Sequence, residues 1–208
     1  MQTYDSIIFD VDGTVWNSTN VVEQAWNRAL AESGYETRVT AKDLQGLFGL
    51  PMDEIIRRVL PGCTQEEIDR FTPLCYHYEH TFLDEQGGEI YDGFCDMIRE
   101  LAKKYPLFVV SNCQSGYIEL MYEKSGLGSY FTDQLCFGDN GLYKAANLRQ
   151  IIEKHGLKNP VYVGDTVMDE EACDEAGIPI IYCAYGFGKA NHPVAVIDAP
   201  MDLLKVLE

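Results

Sequence analysis

Tyr4-Asp5-Ser6-Ile7-Ile8-Phe9-Asp10-Val11-Asp12-Gly13-Thr14 is the stretch on which the reading of this chain turns. Ile7, Ile8 and Phe9 form an unalternating apolar run, the pattern of a strand buried on both faces. Two carboxylates at i and i+2 come next, then a glycine and a hydroxyl. Side chains two apart on an extended chain point the same way, so Asp10 and Asp12 can converge on one site. Neither has a basic neighbour in sequence, and such a pair is costly unless a cation or a proton compensates it. Taken alone, the segment is equally a strand running into an Asp-Gly turn. The remainder of the chain decides between the two.

Bulk properties set the limits. The chain has 208 residues, enough for one large domain or two unequal ones, and is 46% hydrophobic and 24% charged, as ordinary globular proteins are. No run of about 18 apolar residues is present, so no membrane span is expected. The N-terminal residues lead directly into a strand without the pattern of an export signal, and a cytoplasmic location is expected. Seven cysteines, none in a C-x-x-C pair, read as reduced thiols and not as a disulfide framework or a zinc site. A formal net charge of −17 argues against a nucleic-acid or anionic-membrane surface. An anionic substrate would need something local to overcome that field.

The chain has two textures. From about Asn17 to Gln86 the periodicity is helical. Asn20 and Glu23 form a candidate capping pair ahead of the stripe Val22, Ala25, Trp26, Ala29 and Leu30, with Trp26 in the core of this region. Thr40 and Pro51 each start a further short helix, and Thr64-Gln65-Glu66-Glu67 is a capping box leading into a longer one. No strand is read in this part. From about Glu89 onward, helices alternate with short apolar strands: Leu107 to Val110, Gln134 to Phe137, Val161 to Val163 and Ile178 to Cys183. That alternation indicates a parallel sheet covered on both faces. The expected architecture is a doubly wound, Rossmann-like α/β core formed by residues 1–16 and 88–208. A helical domain, residues 17–87, is inserted after the first strand. Val15 to Ser18 and Gly87-Gly88 are its outgoing and returning hinges.

In open parallel sheets, ligands bind at the carboxyl ends of the strands, where the winding reverses. Asp10 and Asp12 come after the first strand. Ser111 and Asn112 come after Leu107 to Val110. Gly164, Asp165, Thr166 and then Asp169 come after Val161 to Val163, and Lys144 opens an intervening helix. Four carboxylates, a hydroxyl and an amine therefore fall on one rim.

These residues resemble the haloacid dehalogenase superfamily of aspartate-nucleophile phosphatases. Its first motif, hydrophobic residues then D-x-D-G-T, stands as Ile7 to Thr14; its second, a hydroxyl after a strand, as Val109-Val110-Ser111-Asn112. Lys144 takes the place of the third. The fourth, G-D-x-x-x-D, is Gly164-Asp165-Thr166-Val167-Met168-Asp169. The resemblance spans essentially the whole chain, including a helical cap after motif one. Two departures stand out. The prolines that often flank the third-motif lysine are absent, and Asn17 replaces an aspartate common just beyond D-G-T.

The resemblance implies a Mg²⁺-dependent phosphomonoester hydrolase acting on a small phosphorylated metabolite. Asp10 would attack phosphorus, and Asp12 would act as general acid and base. Ser111 and Lys144, with backbone N–H groups near Gly13 and Asn112, would bind the phosphoryl oxygens. The metal would sit on the Asp10 side chain, the Asp12 carbonyl and Asp165, with Asp169 behind them. The physical need for the metal is independent of family. Two unit charges about 4 Å apart repel by about 4 kcal/mol at an effective dielectric near 20, and a hard cation on carboxylates removes that penalty. Asp12 disfavours dehalogenase or phosphonate chemistry within the superfamily. The nearest alternative is a sugar-phosphate mutase of the beta-phosphoglucomutase type. A phosphoryl-receiver domain or a non-catalytic binding module fits less well.

Four other features stand outside these motifs. His77 and His80 share a helix face but lack a third ligand. Cys113 comes after the second motif without a neighbour to lower its pKa. Lys189 lies in Tyr185-Gly186-Phe187-Gly188-Lys189, a segment expected to border the site. Within the cap, Gly46 to Met52 is the expected substrate loop, with Gly49, Leu50 and Met52 as specificity candidates. This loop carries no lysine or arginine, which disfavours a small carboxylated substrate such as phosphoglycolate.

Overall fold

Ser6–Phe9 forms strand β1 in the computed structural model, which describes residues 4–207, and all four residues of β1 are buried. The chain then passes through β2 (Trp16–Asn17) and four helices, α1 (Thr19–Glu32), α2 (Ala41–Gln45), α3 (Met52–Val59) and α4 (Gln65–Gln86). It returns through β3 (Glu89–Ile90), α5 (Phe94–Leu101), β4 (Leu107–Ser111), α6 (Tyr117–Ser125) and β5 (Asp133–Cys136). The short α7 (Phe137–Asn140) and α8 (Lys144–His155) lead to β6 (Pro160–Gly164) and α9 (Val167–Ala176). The described chain finishes with β7 (Ile180–Cys183), β8 (Ala195–Ile197) and α10 (Asp202–Val206).

The larger sheet runs β5-β4-β1-β6-β7-β8, every adjacent pair parallel, with β1 between β4 and β6. Alternate residues of β1 feed two cores. Ile7 and Phe9 pack with Phe94 and Ile98 of α5 and Met121 of α6, while Ile8 packs with Leu148 and Ile151 of α8 and Cys173 of α9. Helices on both faces explain why the strand is apolar at every position and not at every second one. Each fully buried residue of this kind contributes about 1.5–3 kcal/mol. This is the doubly wound α/β class expected from the sequence.

The inserted helices hold one another through their apolar stripes. Trp26 of α1 meets Phe71 of α4 edge-on at 6.0 Å, and Tyr35 meets the same ring at 5.8 Å. The capping box at Thr64 forms as expected: its side chain accepts the Glu67 N–H, and Glu67 accepts the Thr64 N–H. A second box forms at Thr40 with Asp43.

Several local expectations are corrected. The pair Asn20 and Glu23 does not cap α1, which begins at Thr19. Instead Asn17 Oδ1 accepts the Thr19 N–H at 3.1 Å, and Glu23 accepts the Ala41 N–H at 2.6 Å, pinning the start of α2. The cause lies beyond the local segment. Antiparallel pairing of β2 with β3 (Trp16↔Ile90, Asn17↔Glu89) zips the outgoing and returning hinges together and sets where α1 starts. It also places Asn17 in a strand where none is read from sequence. Phe137 begins α7 and does not end β5. β8 has no counterpart in the sequence reading, because a three-residue edge strand with Val196 half exposed gives too short an apolar signal.

Candidate active site

The sheet order decides which strand ends meet. The chain leaves β1 for β4 and β5 on one side, then returns to build β6, β7 and β8 on the other. The crevice of such a reversal opens at the carboxyl ends of β1 and its neighbours. Asp10 lies just past β1, Ser111 ends β4, Asp165 lies just past β6, and Lys144 is the first residue of α8. Each is buried.

Asp10, Asp165 and Asp169 bring carboxylate oxygens within 4.8 Å of one another, the one group among the described residues with metal-ligand spacing. Lys144 is the cation among them. Its Nζ stands 2.9 Å from Asp10 Oδ1, a close ion-pair contact that leaves this oxygen without a well-formed hydrogen bond, and it donates to Asp169 Oδ1. The ammonium also lies 5.5 Å from the Tyr162 ring centroid. Asp169 Oδ1 also accepts the Tyr162 hydroxyl at 3.4 Å, and its other oxygen is committed to the turn that starts α9. Its Oδ2 accepts the Thr166 N–H at 2.9 Å and the Thr166 hydroxyl at 2.8 Å, forming the capping box of α9. Burial works to raise the Asp169 pKa, yet the Lys144 charge and these donors hold it below the ordinary carboxylate range.

Asp165 and Asp10 are in the opposite state. Asp165 Oδ2 accepts the Phe187 N–H at 2.7 Å, while Oδ1 is buried with no partner among the described residues. Burial, with Asp169 and Asp10 nearby, pushes Asp165 well above the usual range. Burial likewise pushes Asp10 up to about 7, only partly offset by Lys144. Three buried carboxylates thus face one ammonium, and two of them are short of compensation. A divalent cation fits that deficit, and the unpartnered Asp165 Oδ1 offers it a lone pair. The backbone is shaped to allow this crowding. A Cβ on Gly13, whose φ is +79°, would lie 2.1 Å from Asp165 Oδ2, and one on Gly186 would lie 2.3 Å from Asp165 Cβ.

Asp12 is held differently. Its Oδ1 accepts three hydrogen bonds: from the Ser18 hydroxyl at 2.6 Å, the Tyr117 hydroxyl at 2.8 Å and the Trp16 indole at 3.0 Å. Burial nonetheless raises its pKa above the ordinary carboxylate value, against the pull of those donors. None of the three donors carries a sequence signal for this role. Tyr117 reaches Asp12 across 105 positions, far beyond any local pattern.

A cavity of about 70 Å³ opens between the strand ends and the cap, with Asp10, Asp12 and Ser111 on the core side and Gly49, Leu50 and Met52 on the cap side. These six residues, expected from sequence to carry chemistry and specificity, do share one space. Lys144 does not line this cavity, since its ammonium is engaged by Asp10 and Asp169. Asn112 bridges the two sides: its Nδ2 donates to the Gly49 carbonyl, and its Oδ1 accepts the Lys144 backbone N–H. The segment after β7 borders the site as expected, through Phe187 on Asp165 and a 5.6 Å ring contact with Phe48. Lys189 is exposed and does not line the cavity. Cys113 does line it, but burial lifts its thiol well above the ordinary range. His77 and His80 are exposed on α4. Glu79, buried on the cap wall, is a site residue that the sequence reading misses.

The sequence model of the haloacid dehalogenase-like hydrolases matches residues 7–183, spanning both the strand-end motifs and the inserted helices. The chain belongs to that family. The expected haloacid dehalogenase-type phosphatase is thereby borne out at the level of family and enzyme class. Among curated relatives, this hydrolase is 27% identical to a phosphoglycolate phosphatase of Aliivibrio fischeri over 212 residues, covering 95% of this chain and 90% of that protein. It is 25% identical to one of Synechococcus elongatus, covering 97% and 96%. Its fold matches a haloacid dehalogenase-like family hydrolase from Streptococcus pneumoniae with a TM-score of 0.89 at 20% identity, over the full length of both chains. No helix among the described residues is long and apolar enough to cross a membrane.

Proposed function

We propose that this hydrolase is a Mg²⁺-dependent phosphomonoesterase that works through an aspartyl-phosphate on Asp10. The observation that carries the reading is the contrast between two aspartates lining one cavity. Asp10 Oδ1 has the Lys144 ion-pair contact and no well-formed hydrogen bond among the described residues, whereas Asp12 Oδ1 is clamped by three donors. A nucleophile needs an unencumbered lone pair. A general acid needs a fixed orientation and a raised pKa.

The roles come from those surroundings. Asp10 attacks phosphorus and the alcohol leaves. Asp12, with Oδ1 pinned and Oδ2 free of protein partners among the described residues, protonates the departing oxygen and then takes a proton from the water that releases phosphate. The Ser111 hydroxyl, buried at the end of β4, and backbone N–H groups near Gly13 and Asn112 receive the phosphoryl oxygens. Lys144 fixes the carboxylate of Asp10 and balances charge from behind it. Asp10, Asp165 and the Asp12 carbonyl are the residues that would hold Mg²⁺, which when bound neutralises the phosphoryl group and lowers its repulsion of the nucleophile. The cavity size supports a small phosphorylated metabolite as substrate.

The test is release of phosphate from a small phosphomonoester with and without Mg²⁺, then borohydride trapping during turnover. Reduction of an aspartyl-phosphate gives homoserine, which mass spectrometry places in the sequence. Homoserine at position 10, and no turnover in Asp10→Asn, is the expected result. Metal-independent turnover, or a trapped acyl-phosphate elsewhere, would overturn the proposal.

A further inference from the structure

The cap wall carries a carboxylate that the proposed reaction does not use. Glu79 of α4 is buried and lines the cavity. Its Oε1 accepts the Trp26 indole N–H at 2.6 Å, which fixes the carboxyl in place, and its Oε2 has no partner among the described residues. Gln114, just beyond β4, lines the same cavity, and its Oε1 is buried without a partner among the described residues. Val22, Leu50 and Ile55 line it beside the phenol of Tyr76, and no lysine or arginine lines it among the described residues.

We propose that Glu79 selects the leaving group, favouring phosphomonoesters whose alcohol carries a hydrogen-bond donor without negative charge, a hydroxyl or an ammonium, over carboxylated esters. The inference rests on the phosphatase reading and deepens it. Glu79 and Gln114 both present acceptors in a place where water is scarce, and an acceptor left unmatched there penalises any ligand that cannot satisfy it. A donor on the leaving group completes them. A carboxylate on the leaving group would instead be taken out of water into a low-dielectric space where no cation among the described residues lines the wall to receive it. On these grounds the chain departs from the substrate that gives its curated relatives their name.

Four esters of matched length separate the cases: ethyl phosphate, 2-hydroxyethyl phosphate, 2-aminoethyl phosphate and phosphoglycolate, each measured with Mg²⁺ as kcat/KM. At least one donor-bearing ester should exceed both ethyl phosphate and phosphoglycolate by about tenfold or more. Preference for the amine or for the alcohol tells which donor is recognised. Glu79→Gln keeps the Trp26 hydrogen bond and the side-chain shape while replacing the unpartnered carboxyl oxygen with an amide NH2, which donates and cannot accept. It should reduce the ratio of the donor-bearing ester to phosphoglycolate by about tenfold. Gln114→Leu, which removes the other acceptor, should reduce the preference over ethyl phosphate. Phosphoglycolate as the best substrate of the parent protein, or ratios unmoved in both variants, would overturn the assignment of Glu79. Turnover of none of the four would overturn the phosphatase reading instead.

Discussion

Asn112 donates from its side chain to the Gly49 carbonyl at 2.8 Å, joining the end of a core strand directly to the cap loop. The same side chain accepts the Lys144 backbone N–H at 2.9 Å. One amide therefore holds the cap loop, the second motif and the head of α8 in register. Cap position and lysine position are coupled through it.

Asn112→Ala should lower kcat/KM by about 10- to 100-fold while the fold persists, because two hydrogen bonds at about 0.5–1.5 kcal/mol each are lost. Asn112→Asp keeps the acceptor for Lys144 N–H and loses only the donor to Gly49. Steady-state kinetics should place it between alanine and the parent protein. An aspartate variant as impaired as alanine would put the whole effect on the cap contact.

Asp165→Ala should shift the Mg²⁺ titration of activity to much higher concentration or abolish turnover. Its Oδ1 is a buried acceptor without a protein partner among the described residues, and alanine supplies no oxygen in its place. Calorimetric titration with Mg²⁺ gives an independent measure. An unchanged binding isotherm would remove Asp165 from the metal site.

The pH dependence of stability offers a third check. Burial pushes Glu79 up to about 8, with Asp12 adding to the rise and Trp26 opposing it. In the unfolded chain a glutamate titrates near pH 4.3. Between those values the folded state keeps a proton that the unfolded state has released, so stability falls as pH rises through that window. Glu79→Gln removes this contribution. Its melting temperature without metal should gain on that of the parent protein from pH 5 to pH 8, and the gap should level off above. A gap independent of pH would mean that Glu79 is ionised throughout.

Leu50→Ala or Met52→Ala should reorder substrates by their leaving groups, since both side chains lie on the cap side of the cavity and the proposed phosphoryl contacts lie on the core side. Loss of an apolar contact is worth about 1–3 kcal/mol, a change of about 10- to 200-fold in kcat/KM for the esters that use it. A specificity profile against the parent protein measures this. A uniform loss across all esters would show that these residues govern closure and not selection.

Much of the candidate rim is legible in the order of residues alone. Asp10, Ser111 and Asp165 each lie at the end of an apolar strand, and strand ends in a parallel sheet meet on one edge wherever the winding reverses. The capping role of Asp169 is legible too, since Thr166 and Asp169 have capping-box spacing, although the same residue also completes a motif that points to metal chemistry. Asn20 and Glu23 show the limit of such local signals. Their spacing is right, but pairing of β2 with β3 moves the helix start and leaves Glu23 to bind Ala41.

The amino-acid sequence by itself determined the fold class, the helical insertion and the identity of the strand-end carboxylates, because each depends on the periodicity or spacing of residues close along the chain. Tertiary structure alone decided the state of those groups. Asp12 is clamped by Tyr117 from 105 positions away, Asn112 reaches Gly49 across 63, and Glu79 is oriented by Trp26 across 53. A hydrogen bond or a shifted pKa depends on distances of a few ångströms and on exclusion of water. Sheet order and cap packing set both, and neither is written in the spacing of residues along the chain.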